Sequence, residues 1–123
     1  MYATGHRTTR GIEAVAASFT PSSQLSIVQH VQPETPYATL AEIFSQHGFD
    51  TSFIYGGDSQ LYNMKTFFMH NGTAKVIDER DFEDPQYVGS WGVSDEDLFN
   101  KAHQYYSDLH KQSKHFFSVI LTT

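Results

Sequence analysis

Apolar residues recur at helical spacing in some stretches of this chain and crowd into short unbroken runs in others. From Thr8 to Phe19, Ile12, Val15, Ala16 and Phe19 fall on one face and Pro21 ends the run, which predicts a short helix opening at Thr8 or Thr9. Residues 20 to 36 carry Pro21, Pro33 and Pro36 among Ser and Gln and read as an irregular connection, with a short extended piece at Leu25 to Val28. Thr35 suits a helix cap with Pro36 in the first turn. Tyr37, Leu40, Ala41 and Phe44 then make the apolar face, and Gly48 marks the stop.

Asp50 to Tyr55 reads as a strand that runs into Gly56-Gly57, with Asp58 or Ser59 capping the next helix. That helix is expected from Gln60 to His70, with Leu61, Met64 and Phe68 on one side and Asn71-Gly72 at its end. A strand at Ala74 to Ile77 follows, then an exposed acidic loop from Asp78 to Pro85. Ser94 and Asp97 resemble a capping box, and Asp95, Glu96 and Asp97 put negative charge where a helix dipole favours it. The helix they open buries Leu98, Ala102, Tyr105 and Leu109 and ends near Lys111 and Lys114. Phe116 to Leu121 is a continuous apolar run, as in a strand buried on both faces. Strands alternating with helices imply crossover connections, so the expected class is α/β: a mostly parallel sheet flanked by helices.

Composition narrows the function more than the fold. With 123 residues, 39% of them apolar, the chain is one globular unit. Its formal charge of −6 supplies no footprint for a nucleic-acid backbone. The absence of Cys rules out disulfides, thiolate zinc sites and a Cys nucleophile, and suits the cytosol and the bacterial periplasm equally. No apolar stretch approaches the ~20 residues of a spanning helix.

Three polar, glycine-marked segments could carry chemistry. In Gly5-His6-Arg7-Thr8-Thr9-Arg10-Gly11 a loop runs straight into a helix. A helix opening offers unpaired N–H groups and partial positive charge, and Arg7 and Arg10 add to it, so phosphate or sulfate is favoured there. A Thr hydroxyl needs a base or a metal to act as a nucleophile, and a Thr at a helix start is also an ordinary cap. Tyr55-Gly56-Gly57-Asp58-Ser59 lies at the carboxyl end of a strand, where open α/β sheets bind ligands, and serves equally as a capped strand-to-helix turn. Gly89-Ser90-Trp91-Gly92-Val93-Ser94-Asp95 places a lone Trp between glycines, either as a pocket wall or as a packed aromatic. His103 and His110 are two helical turns apart, too far for one metal ion, and the remaining His residues other than His6 sit singly near element ends.

Taken together and in this order, Tyr2 to Ala14, Tyr55 to Ser59 with Asn63-Met64, and Gly89 to Phe99 resemble the lipoteichoic acid synthase and periplasmic glucan phosphoglycerol transferase group of the alkaline phosphatase and sulfatase superfamily. The resemblance implies that Thr8 is both nucleophile and metal ligand, carrying phosphoglycerol or phosphoethanolamine as a covalent intermediate. Thr9 is the alternative, since the Thr is doubled. It implies phosphate contacts from Arg7 and Arg10, and a substrate pocket bordered by Tyr55, Asp58, Tyr62, Asn63 and Trp91. The family's metal-binding Glu would precede Met1, and its Asp-His pair and further His residues would follow Thr123. Residues 1–123 are therefore expected to be a partial catalytic domain, inert alone, whose manganese, magnesium or zinc ion is held mostly by other parts of the parent. The implied partners are a phospholipid head-group donor and a glycan or lipid acceptor, with no nucleic acid. The implied location is the outer face of a bacterial inner membrane, reached by a membrane-anchored parent. A sulfatase or phosphodiesterase that transfers to water, and a degenerate binding module, are the alternative expectations.

Overall fold

The structure, a computed structural model, describes residues 6–20, 25–30 and 36–123. At its centre lie three parallel strands, β1 (Asp50–Tyr55), β2 (Lys75–Ile77) and β5 (Phe116–Leu121), in the order β2-β1-β5. Phe53 of β1 stands opposite Val76 on one side and Val119 on the other. Parallel neighbours need long crossovers. Helix α3 (Met64–His70) lies within the first and α4 (Asp95–Lys111) within the second. Between them, β3 (Val88–Gly89) and β4 (Gly92–Val93) form a short antiparallel hairpin. Helices α1 (Thr8–Ala17) and α2 (Leu40–Gln46) precede the sheet.

Side chains alternate across β1, so each face of the sheet has its own core. Phe53 and Tyr55 join Ile12 and Ala16 of α1 and Met64, Phe67 and Phe68 of α3 on one face. Ile54 joins Ile77, Val93, Leu98 and Ala102 on the other, beneath α4. The architecture is the α/β sheet flanked by helices that the alternation of elements predicts.

Several boundaries move, each for a local reason. Leu25 to Val28 is not extended: Ile27–Gln29 forms a 3₁₀ turn in which the Ser26 hydroxyl accepts the Val28 amide at 3.3 Å. The second helix starts at Leu40 rather than near Pro36. The Tyr37 amide donates to Asn71 Oδ1 at 2.5 Å and the Thr39 hydroxyl donates to the Asn71 carbonyl at 2.6 Å, which holds residues 37–39 extended and makes Thr39 the cap. The expected cap at Thr35 lies outside the described residues, as does Pro21. The third helix opens later than Gln60 because Tyr62 and Asn63 take left-handed backbone angles, φ 54° and φ 64°, and Leu61 is exposed.

Within the acidic run Asp78 is buried, its carboxylate paired with Arg80 at 2.6 Å and bonded by the Ser59 hydroxyl at 2.5 Å. Strand β5 is half-buried rather than buried on both faces, because it is the outer strand of the described sheet. Val15 and Phe19 of the predicted apolar stripe are exposed, because α1 meets this core through Ile12 and Ala16, with Ala17 beside them.

The hairpin abuts the end of β1. The Val93 amide donates to the Gly56 carbonyl at 2.9 Å, and Gly92, at φ 136°, packs so closely on Gly56 that a Cβ there would overlap its carbonyl. Ser94 then caps α4 through the Asp97 amide at 3.1 Å. Gly92→Ala should therefore destabilise the fold by more than ~1 kcal/mol, since both its angle and its space are forbidden to a side chain. Ser94→Ala should cost about 1 kcal/mol through the lost cap. Urea unfolding midpoints check both, and an unchanged Gly92→Ala midpoint would contradict the packing described.

Candidate functional site

Arg7, not a threonine, is the N-cap of α1. Its carbonyl accepts the amides of Arg10 at 2.9 Å and Gly11 at 3.2 Å, and no side chain caps the helix. Thr8 is thus the first helical residue, its side chain exposed, and capping does not occupy its hydroxyl. Thr9 is 4% exposed and packed beneath it. Burial thereby distinguishes Thr8 from Thr9, its alternative in the sequence.

Thr8 opens onto a cleft of about 480 Å³ lined by His6, Arg7, Thr9, Arg10, Leu25, Gln29 and Tyr62 as well as itself. Arg7 is exposed and forms no ion pair with a described residue. Uncapped helix amides with a guanidinium beside them favour an anion. The same threonine borders a second, more apolar groove of about 480 Å³ along α1 and the carboxyl end of β5, from Val119 to Thr123. Leu121 is the register partner of Tyr55, so Thr8 lies toward the carboxyl edge of the sheet, where the Tyr55-Gly56-Gly57 turn also lies.

The helix opening is held by Glu13, a carboxylate 1% exposed on the buried face of α1. It accepts from Arg10 at 2.8 Å, from the Ser26 hydroxyl at 2.7 Å and from the Ile27 amide at 3.0 Å. Burial alone would push its pKa up. The bonds from Arg10, Ser26 and Ile27 outweigh burial and leave it below the ordinary glutamate value. Glu13 also fixes the 26–30 segment, whose Gln29 forms part of the cleft wall. An acid between Ile12 and Ala16, on the stripe predicted to be buried, is the sequence signal that could have revealed this tie.

The other residues singled out by sequence are distributed differently. Tyr62 is brought to the cleft with Arg7, Thr8 and Arg10. Tyr55, Asp58, Asn63 and Trp91 are not among its lining residues. Tyr55 is buried over Gly57 and stacked near Phe53, and burial followed by the nearby acids Glu79 and Asp58 raises its phenol pKa. Asp58 accepts the Gln60 amide at 2.9 Å and lies 3.5 Å from Arg80. The Asn63 amide donates to the carbonyls of Val28 at 3.3 Å and His30 at 3.1 Å. Trp91, at the hairpin tip, is 72% exposed and packs on no core.

Among the described residues no group of three or more His, Asp or Glu side chains is placed to hold a metal ion. On the cleft itself the polar groups are the hydroxyls of Thr8, Thr9 and Tyr62, the Gln29 amide and the His6 imidazole beside two arginines, a set without a carboxylate that fits an anion and does not by itself make a cation centre.

A protein-family model described as Sulfatase matches residues 1–123, the whole chain. A solved structure from Vibrio parahaemolyticus, a protein in the alkaline phosphatase superfamily, is 46% identical with a TM-score of 0.92, over 99% of this chain and 30% of that one. A lipoteichoic acid synthase from Listeria monocytogenes shares the fold at 23% identity and a TM-score of 0.80, over 89% of this chain and 26% of that one. The chain thus spans less than a third of the length of either relative.

The folded pKa of Glu13 lies below its unfolded value, as does that of Asp78, where burial is outweighed by Arg80 and Ser59. Their stabilisation is complete above the unfolded values of 4.5 and 3.8 and is lost as pH falls through the folded ones. Glu13→Gln is expected to lower stability at pH 7 by ~1.5–3 kcal/mol and to flatten the loss of stability below pH 4.5. Melting curves from pH 7 to pH 3 check this. An equally steep acid loss in the variant would contradict the role given to Glu13.

Proposed function

The chain belongs to the sulfatase family of the alkaline phosphatase superfamily, and on that premise we propose that it is part of a metal-dependent transferase acting through a covalent adduct on Thr8. The enzyme moves phosphoglycerol or phosphoethanolamine from a phospholipid to a glycan or lipid acceptor. The observation that carries this reading is the Thr8 hydroxyl, exposed on the first turn of an uncapped helix and flanked by Arg7 and Arg10 in a cleft with room for a phosphodiester and part of its substituents.

The hydroxyl oxygen of Thr8 attacks phosphorus of the donor phosphodiester. An O–P bond forms to Thr8, the P–O bond to diacylglycerol breaks, and the proton lost by Thr8 is balanced by the one gained by the departing alcohol. The acceptor hydroxyl then attacks the same phosphorus, releasing the Thr8 oxygen, which regains a proton. Arg7, Arg10 and the opening amides of α1 hold the phosphate oxygens and offset the charge that grows on them. The superfamily is typically metal-dependent, and a bound divalent ion supplies the Lewis acidity that lowers the pKa of the hydroxyl. In this proposal Thr8 would be the ligand this segment supplies to such an ion, and the remaining ligands would come mostly from other parts of the parent.

The same reading puts this segment at the outer face of a bacterial inner membrane, in a parent anchored by helices; its support is the resemblance of the three sequence blocks to the transferase group. No helix among the described residues is long and apolar enough to cross a membrane.

Incubating the full-length protein with manganese, a phosphatidylglycerol analogue and a glycan acceptor should yield diacylglycerol and a glycerophosphoryl glycan. Thr8→Ala should lower the rate by at least ~10³-fold, while Thr9→Ala retains turnover. Release of glycerol phosphate to water with no glycan product would mean a hydrolase. No turnover of any ester would mean a binding module.

A further inference from the structure

Two consecutive residues without the freedom of glycine, Tyr62 and Asn63, sit in the left-handed region at φ 54°, ψ 20° and φ 64°, ψ 21°. Asn tolerates that region. Tyr does not do so readily, and such strain persists only where surrounding contacts impose it. The Asn63 side chain supplies those contacts. Its Nδ2 protons go to the carbonyls of Val28 and His30, which settles the orientation of the amide, because the flipped form would set Oδ1 against two carbonyl oxygens. Both carbonyls belong to the segment that Glu13 fastens to α1 through Ser26 and Ile27. A continuous set of bonds therefore runs from the helix carrying Thr8, through residues 26–30, to the turn carrying Tyr62, and Thr8, Gln29 and Tyr62 all line the cleft this set encloses.

We propose that Asn63 is a positioning residue that sets the span of the cleft. Its amide holds Tyr62 in a strained backbone conformation opposite Thr8, so that the phenol ring fixes the part of the substrate attached to phosphorus. The proposal rests on the cleft being the substrate site. Nothing in it requires Asn63 to touch substrate, since both of its amide protons are committed to carbonyls.

The two possible roles of Asn63, tolerating a left-handed angle and tying two carbonyls, separate in Asn63→Gly, which keeps the first and removes the second. Full-length protein with 3-fluorotyrosine at position 62 is compared with its Asn63→Gly form by fluorine NMR and by turnover of a phosphatidylglycerol analogue. The expected result is a shifted or broadened Tyr62 resonance and a KM raised roughly tenfold, with kcat within about threefold and the melting profile nearly unchanged. An unchanged Tyr62 resonance overturns the proposal, whatever happens to KM. A changed resonance with unchanged KM also overturns it, because the tether would then not matter to substrate. If the parent protein shows no turnover at all, the substrate reading fails on its own and the fluorine spectrum still decides whether Asn63 positions Tyr62. Should Asn63→Gly not fold, Asn63→Asp is read in the same way, since its carboxylate tolerates the angle and repels both carbonyls.

Discussion

The site depends on one buried carboxylate. Glu13 lies on the face of α1 that packs inward, and a charge there is tolerated only because Arg10, the Ser26 hydroxyl and the Ile27 amide all donate to it. That requirement ties the helix bearing Thr8 to a stretch of chain with little regular structure of its own. Without it, the 3₁₀ turn at Ile27–Gln29 would lose the bonds that locate it, and the cleft would lose a wall. A charge that is costly to bury thus becomes a geometric constraint on the cleft that Thr8, Gln29 and Tyr62 line.

The sheet supplies a second constraint. β1 is covered by α1 and α3 on one face and α4 on the other, so its carboxyl end is a fixed reference for everything that follows it. The Gly56-Gly57 turn is pressed by the 88–93 hairpin on one side and leads into the left-handed Tyr62-Asn63 pair on the other. Asp78, buried beneath Ser59 and Arg80, closes this turn from below, and the Glu79 amide bonds the Gly57 carbonyl at 3.2 Å. The described residues of the three sequence blocks that resemble the transferase group are therefore one connected region in space. Of the described residues in these blocks only those of the first line the cleft at Thr8, joined there by Tyr62, which lies between the two parts of the second.

The parts of this arrangement governed by local periodicity are legible in the sequence. The strand at Asp50–Tyr55 and the capped helix after Ser94 lie where pattern and capping chemistry put them. What escaped is governed by contacts distant along the chain. Thr39 rather than Thr35 caps α2 because Asn71, thirty-two residues on, bonds it. Tyr62 and Asn63 break a helix that their apolar spacing would continue, because Asn63 answers to carbonyls at Val28 and His30. Trp91, which the sequence offers as a pocket wall or a packed aromatic, is instead exposed between the two short strands of the hairpin. Of the site, the helix opening with its arginines and Thr8 ahead of Thr9 were readable through the resemblance, and the burial of Thr9 was not, since it depends on how α1 packs.

In the proposed function the exposed threonine at the opening of α1 carries the transferred group. Rapid acid quench of the full-length protein during turnover of a phosphatidylglycerol analogue, followed by tandem mass spectrometry, reads that residue directly. The account predicts a glycerophosphoryl mass on Thr8 that disappears when acceptor is added. The same mass on Thr9, or a working enzyme with no adduct anywhere on the peptide containing residues 7–10, would contradict it.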